Sequence, residues 1–145
     1  MRGLDTNVLV RFLTADDPEQ AEAALRLVEI ADSTGERLHI STIVLAELVW
    51  VLRGGRYART REEVADALGA LLDATVFEIQ DRDLVRRAVT AFRAGPADFS
   101  DYLIGEHDRR AGCTSTLTFD RRLTGSTGFE ELDIGGIYST PVSEP

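Results

Sequence analysis

Apolar residues recur along the chain in two rhythms that take turns, one at the three- and four-residue spacing of helices and one in short alternating runs. Met1 to Leu4 reads as a short strand, leading into an apolar helical run from about Thr6 to Leu13. Asp17-Pro18 has the form of an N-cap followed by proline at the first helical position, and it opens a helix that ends before Gly35. Arg37 to Ser41 is a second strand, and Thr42 to Arg53 a strongly apolar helix stopped by Gly54-Gly55. Thr60 and Glu63 form a capping box for a helix to about Asp73, and Thr75 to Ile79 is the third strand. A helix over Asp81 to Arg93 precedes the breaker Gly95-Pro96. Asp98 caps a helix from Phe99 to Arg110 that Gly112 ends, Cys113 to Thr118 alternates as a fourth strand, and Asp133 to Tyr138 is expected as the last.

This alternation predicts an α/β fold, a single α/β/α sandwich with a mainly parallel central sheet. A length of 145 residues suits one domain, expected over 1–138 and followed by a frayed tail at 139–145. No apolar stretch approaches the roughly 20 residues of a membrane span. The first residues lack the pattern of a secretory signal, so a cytoplasmic location is expected.

Composition narrows the chemistry. Cys113 is the only cysteine, which excludes an internal disulfide and a cysteine-based zinc site. All sixteen basic residues are arginine, and without lysine both P-loop and Schiff-base mechanisms are closed. His39 and His107 offer little for a zinc hydrolase or a histidine-relayed triad and are expected to be structural or surface residues. A net charge of -9 argues against broad affinity for nucleic acid, so any such substrate must be held locally.

Carboxylates, by contrast, are abundant at informative places. Ligands of open parallel sheets bind beyond the carboxyl ends of the strands. Asp5 follows the first strand, Asp120 follows the fourth, and Asp101 lies in the first turn of the helix entered from Pro96. Glu47 sits mid-helix between Leu45-Ala46 and Leu48-Val49-Trp50, where an ionised carboxylate is costly unless paired or bound to a cation. Trp50, Phe12 and Phe92 are expected in the core. Singly, Asp5 reads equally well as a helix cap, Asp101 as a helix-dipole acid and Asp120 as a turn residue. Together they call for positive charge, since two carboxylates about 4 Å apart repel by roughly 4 kcal/mol at an effective dielectric of about 20. Oxygen-only ligation favours Mg²⁺ or Mn²⁺ over zinc.

The order of Asp5-Thr6-Asn7 after a first strand, Ala46-Glu47 in an apolar helix, Asp98-Phe99-Ser100-Asp101 opening a helix and Thr118-Phe119-Asp120 after a strand resembles the PIN domain. The likeness runs from Leu4 to about Leu132, and the short single-domain form resembles VapC-type toxins of toxin-antitoxin pairs. It implies that Asp5, Glu47, Asp101 and Asp120 are the catalytic, metal-binding acids. Thr6 and Thr118 then match hydroxyls that orient water or carboxylates, and Asn7 a structural asparagine. Asp98 stays open between a helix cap and an extra acidic ligand. The implied activity is a Mg²⁺-dependent endoribonuclease, with Mn²⁺ as an alternative metal, cutting structured cellular RNA through water activated at the metal. The implied partners are a cognate antitoxin protein and a second copy of the chain, giving a homodimer and, with antitoxin, a heterotetramer or larger.

The segment from Arg53 to Arg61 gathers four arginines around Tyr57, which makes Arg53, Arg56 and Tyr57 candidates for RNA contact. A plain solvated helix connection fits the same composition. Arg121 and Arg122, beside Asp120, are better placed to meet a phosphate. Two other functions compete: a Mg²⁺-dependent phosphohydrolase with an N-terminal aspartate nucleophile, and a catalytically inactive PIN-like binding module. The first needs a second acid where the chain has Asn7, together with a lysine it lacks. Against the second stand the intact acids at all four positions.

Overall fold

A computed structural model describes residues 1–135. Strand β1 (Arg2–Gly3) is followed by helices α1 (Thr6–Thr14) and α2 (Pro18–Thr34), strand β2 (Leu38–Ile40), and helices α3 (Thr42–Arg53) and α4 (Arg61–Asp73). Strand β3 (Phe77–Ile79), helices α5 (Arg82–Ala94) and α6 (Phe99–Ala111), strand β4 (Thr116–Thr118), a 3₁₀ turn (Arg121–Leu123) and strand β5 (Phe129–Glu131) complete the order.

The helix boundaries follow from local chemistry. Asp17 accepts from the Gln20 amide at 3.1 Å with Pro18 at the first helical position, and Thr60 and Glu63 satisfy each other's backbone amides at 3.1 and 3.0 Å. Gly35 and Gly112 end α2 and α6 at φ 73° and 94°, in the left-handed region where a Cβ is disfavoured.

β2 lies between β1 and β3, and both pairings are parallel, with Arg2 opposite Leu38 and His39 opposite Glu78. Leu38 and Ile40 are fully buried there. Around them pack Leu9 of α1, Leu45 and Leu48 of α3, Leu68 of α4, Leu84 of α5, and Phe92 and Phe99, whose rings meet edge to face at 6.0 Å. Each such side chain contributes about 1.5–3 kcal/mol by leaving water.

The α/β fold and parallel pairing match expectation, with one difference. Among the described residues the strands form two parallel sheets, β1-β2-β3 and β4-β5, instead of a single central one. β1 is only two residues long before Asp5 turns the chain into α1, which leaves little backbone to pair on a second side. The last observed strand is Phe129–Glu131, paired with β4. Of the strand expected over Asp133 to Tyr138, residues 133–135 are not in a strand; the remainder, with the tail at 139–145, lies outside the described residues. No described helix is long and apolar enough to cross a membrane.

For the site, the placement of α3 matters most. It packs against both α1 and α6, and so joins the helix that follows Asp5 to the helix that begins at Asp98.

Candidate functional site

Asp5 occupies the N-cap of α1, where its Oδ1 accepts from the Val8 amide at 3.2 Å. Thr6, the first residue of the helix, donates its hydroxyl to Glu47 Oε2 at 2.6 Å. The other partner in that bond is set by α3. Ser41 caps this helix by accepting from the Val44 amide at 3.2 Å, and Leu45, Leu48, Val49 and Leu52 form its buried side. Ile43, Glu47 and Trp50, spaced four and three residues apart, fall together on the opposite side.

This corrects two expectations. Glu47 is exposed, so its position carries no burial cost, and Trp50 is 80% exposed and not part of the core. α3 reads as apolar nearly all round, and an open apolar face beside an acid cannot be told from a buried one by periodicity alone. Phe92 does lie in the core, and Phe12, partly buried, packs against it.

The second group of acids gathers where α6 begins and β4 ends. Asp98 holds the N-cap position of α6 in extended conformation, and its amide donates to Asp101 Oδ2 at 3.0 Å. Asp120 starts the 3₁₀ turn: its amide donates to the Thr118 hydroxyl oxygen at 3.0 Å, and its Oδ1 accepts from the Arg122 amide at 2.9 Å. The Arg122 side chain then folds back. Its Nη2 lies 2.7 Å from Asp120 Oδ2, 3.5 Å from Asp98 Oδ2 and 3.8 Å from Asp101 Oδ2, and its Nε lies 3.1 Å from both Asp120 oxygens. The hydrogen bond from Arg122 holds the Asp120 carboxyl below its ordinary range, and the same bond raises the guanidinium.

The candidate acids therefore stand in two sets. Glu47 is joined to the Asp5-Thr6 corner, and Asp98, Asp101 and Asp120 surround one guanidinium. Among the described residues no three acids, histidines or cysteines converge closely enough to hold a metal ion as they stand. In chemistry the donor set fits a hard divalent cation, being all oxygen, and its need for positive charge is visible in the arginine it has drawn in.

Asp5 and Asn7 also line a cleft of about 370 Å³ between α1 and α2, with Val8, Ala23, Ala24 and Leu27 as its apolar wall and Arg11 and Gln20 as its polar one.

The arginine-rich connection between α3 and α4 is tied into the fold. Tyr57 donates its hydroxyl to Asp16 Oδ2 at 2.6 Å, Arg56 lies 2.9 Å from the same oxygen and 5.5 Å from the Tyr57 ring centroid, and Arg11 reaches Asp16 Oδ1 at 2.9 Å. The Asp16 carboxyl is lowered to about 2, chiefly by the Tyr57 hydrogen bond. Arg53 donates to the Arg59 carbonyl at 3.2 Å. Arg61 donates to the carbonyls of Phe92, Ala97 and Pro96 at 2.9, 2.7 and 3.0 Å and stacks on Phe92. Arg121 is the open one, with a side chain 90% exposed and 3.7 Å from Glu131. Sequence reading singled out neither Asp16 as the anchor of this loop nor the exposed rings of Trp50 and Phe119 that adjoin the acids in the chain. For Phe119 a signal was available, since it alternates with Thr118 and Asp120 on a strand end.

Comparison with known proteins returns a match of the PIN domain family to residues 4–125, a span that contains Asp5, Glu47, Asp98, Asp101 and Asp120. A protein of Aquifex aeolicus (strain VF5) named VapC ribonuclease is 28% identical over 133 residues, covering 92% of this chain and 96% of that protein.

Proposed function

The chain belongs to the PIN domain family, and on that premise we propose that it is a Mg²⁺-dependent endoribonuclease, the toxin of a toxin-antitoxin pair. The observation that carries this is the meeting of Asp98, Asp101 and Asp120, from two separate chain segments, around a single positive charge. The Thr6-Glu47 bond adds a second acidic arm, carried on α3, which packs against the helix that begins at Asp98. The name of the Aquifex relative favours RNA as substrate.

Asp5, Glu47, Asp101 and Asp120 are the residues that would hold the metal, with Mn²⁺ as an alternative. When bound, such an ion supplies Lewis acidity for activating water and neutralises charge building at phosphorus. The protein's own part is positioning. Thr6 fixes the rotamer of Glu47 through a short bond to a charged acceptor, and Thr118 fixes the backbone of Asp120. Arg121, with its side chain 90% exposed, is open to a phosphate of the substrate, and Phe119 offers an exposed ring for base stacking.

The partners follow from surface chemistry. The cleft between α1 and α2 is apolar along Val8, Ala24 and Leu27 and has Asp5 in its lining, which suits an antitoxin helix or extended segment that delivers an Arg or Lys to the acids. Ile43 and Trp50 on α3 and Ile104 on α6, 70%, 80% and 52% exposed, lie on two helices packed together and suit a two-fold contact with a second copy. Expressing the chain briefly in cells and mapping new RNA 5′ ends tests the function. Discrete internal ends should appear with the native protein and be absent with Glu47→Gln; identical ends with both would refute it.

A further inference from the structure

Arg122 is the one cation that the described structure places on three of the candidate acids at once. Its hold on them is uneven. Two residues away in the same turn, Asp120 is bound through both oxygens at 2.7–3.1 Å. Asp98 and Asp101, on α6, are only approached, at 3.5 and 3.8 Å. The side chain is 48% exposed and carries its guanidinium on a long, flexible stem, so it can leave without disturbing the core. Three carboxylates against one guanidinium still leave the cluster negative, and a compact double charge would serve it better than a diffuse single one.

Building on the metal dependence proposed above, we propose that Arg122 is the resident counter-ion of this site: it holds Asp98, Asp101 and Asp120 in register in the metal-free protein, and a divalent cation binds by displacing it. Arg122 thereby sets the metal concentration at which the site fills. It also explains how three acids can stand near one another before a metal arrives, and why they stand too far apart to ligate one as they are. A guanidinium spans carboxylates spaced more widely than an ion ligated at about 2.1 Å can. Once displaced, the side chain keeps its charge next to the acids, where an incoming phosphate is its natural new partner.

The test is Mn²⁺ binding, measured by calorimetry and by electron paramagnetic resonance of the free ion, on the native chain and on Arg122→Gln, Arg122→Lys and Asp120→Asn. Displacement predicts that Arg122→Gln binds Mn²⁺ at least about tenfold more tightly, the usual size of coupling between two neighbouring binding events. Arg122→Lys should fall between, since a lysine keeps the charge and loses the fork. Arg122→Gln should also melt at a lower temperature without metal and gain more on adding it. In the native chain, the Arg122 Nε resonance should shift as Mg²⁺ saturates. Equal or weaker Mn²⁺ binding by Arg122→Gln and Arg122→Lys, while Asp120→Asn binds less than native, overturns displacement and leaves the metal site standing. Absence of Mn²⁺ binding in all four proteins overturns the metal site and this inference with it.

Discussion

Thr6 donates its hydroxyl to Glu47 at 2.6 Å, joining the first turn of α1 to the middle of α3. The bond crosses 41 residues of sequence, and it fixes where one carboxylate of the site points. Removing it with Thr6→Val should lower RNA cleavage by about 10- to 100-fold while the fold remains, as is usual when a group that orients a ligand is lost. Glu47→Gln, which keeps the shape and an acceptor, should abolish cleavage outright. Steady-state rates together with circular dichroism check both; full activity in Thr6→Val would remove Thr6 from the machinery.

Asp98 and Asp101 should part company on substitution. Asp101 accepts the Asp98 amide, and Asn retains an oxygen for that bond, so Asp101→Asn should stay folded yet lose about a hundredfold or more in cleavage if its charge holds metal. Asp98 is more open, meets Arg122 only at 3.5 Å and should tolerate Asn with most activity kept. An inactive, folded Asp98→Asn protein would place Asp98 among the ligands.

The corner where Tyr57 meets Asp16 gives a pH dependence with a definite sign. Asp16 titrates near 2 in the fold against 3.8 for a free group, chiefly because of the Tyr57 hydroxyl. A depressed carboxyl contributes stability that is complete above the unfolded value and is lost as pH falls from 3.8 toward 2. Tyr57→Phe should therefore raise the Asp16 value toward 3.8 and move acid loosening of the α1-α2 corner to higher pH. Carboxyl carbon NMR across that range reads the shift, and an unchanged Asp16 titration would show that Tyr57 is not its main partner.

Gly95 is needed for space. A Cβ there would stand 2.7 Å from Tyr102 Cζ, and the Tyr102 hydroxyl, still closer, accepts from the Ala97 amide at 3.3 Å. Tyr102 is buried against Phe129, so it has little room to yield. Gly95→Ala should cost about 1–3 kcal/mol of stability. Denaturant unfolding measures this, and a change near zero would mean that the turn before α6 is softer than its packing implies.

Much of this was legible in the residues themselves. Asp17-Pro18, the Thr60-Glu63 box, Gly35 and Gly112 mark helix ends by local hydrogen bonding and backbone freedom, so those boundaries are visible without tertiary context. The five acids were visible because each stands at the end of a strand, the start of a helix or on an apolar run. What lay hidden depends on long-range contact. The open side of α3 with Trp50 and Glu47 is decided by what packs on α3, and the same periodicity serves a core face as well. Arg61 donates to three carbonyls, and Arg56 pairs with Asp16; composition could not separate such structural arginines from ones waiting for a phosphate. Arg122 was visible as a neighbour of Asp120, but its reach to Asp98 and Asp101 required the fold.

The most direct measurement is the end chemistry of RNA cut by the purified chain with Mg²⁺ or Mn²⁺, with and without EDTA. Attack by water at a metal-filled carboxylate site should leave 5′-phosphate and 3′-hydroxyl ends and stop when EDTA is added. Cleavage that persists in EDTA and leaves 2′,3′-cyclic phosphates would mean that the ribose 2′-hydroxyl is the nucleophile, and that the acids around Glu47 and Arg122 do not form a metal-dependent active site.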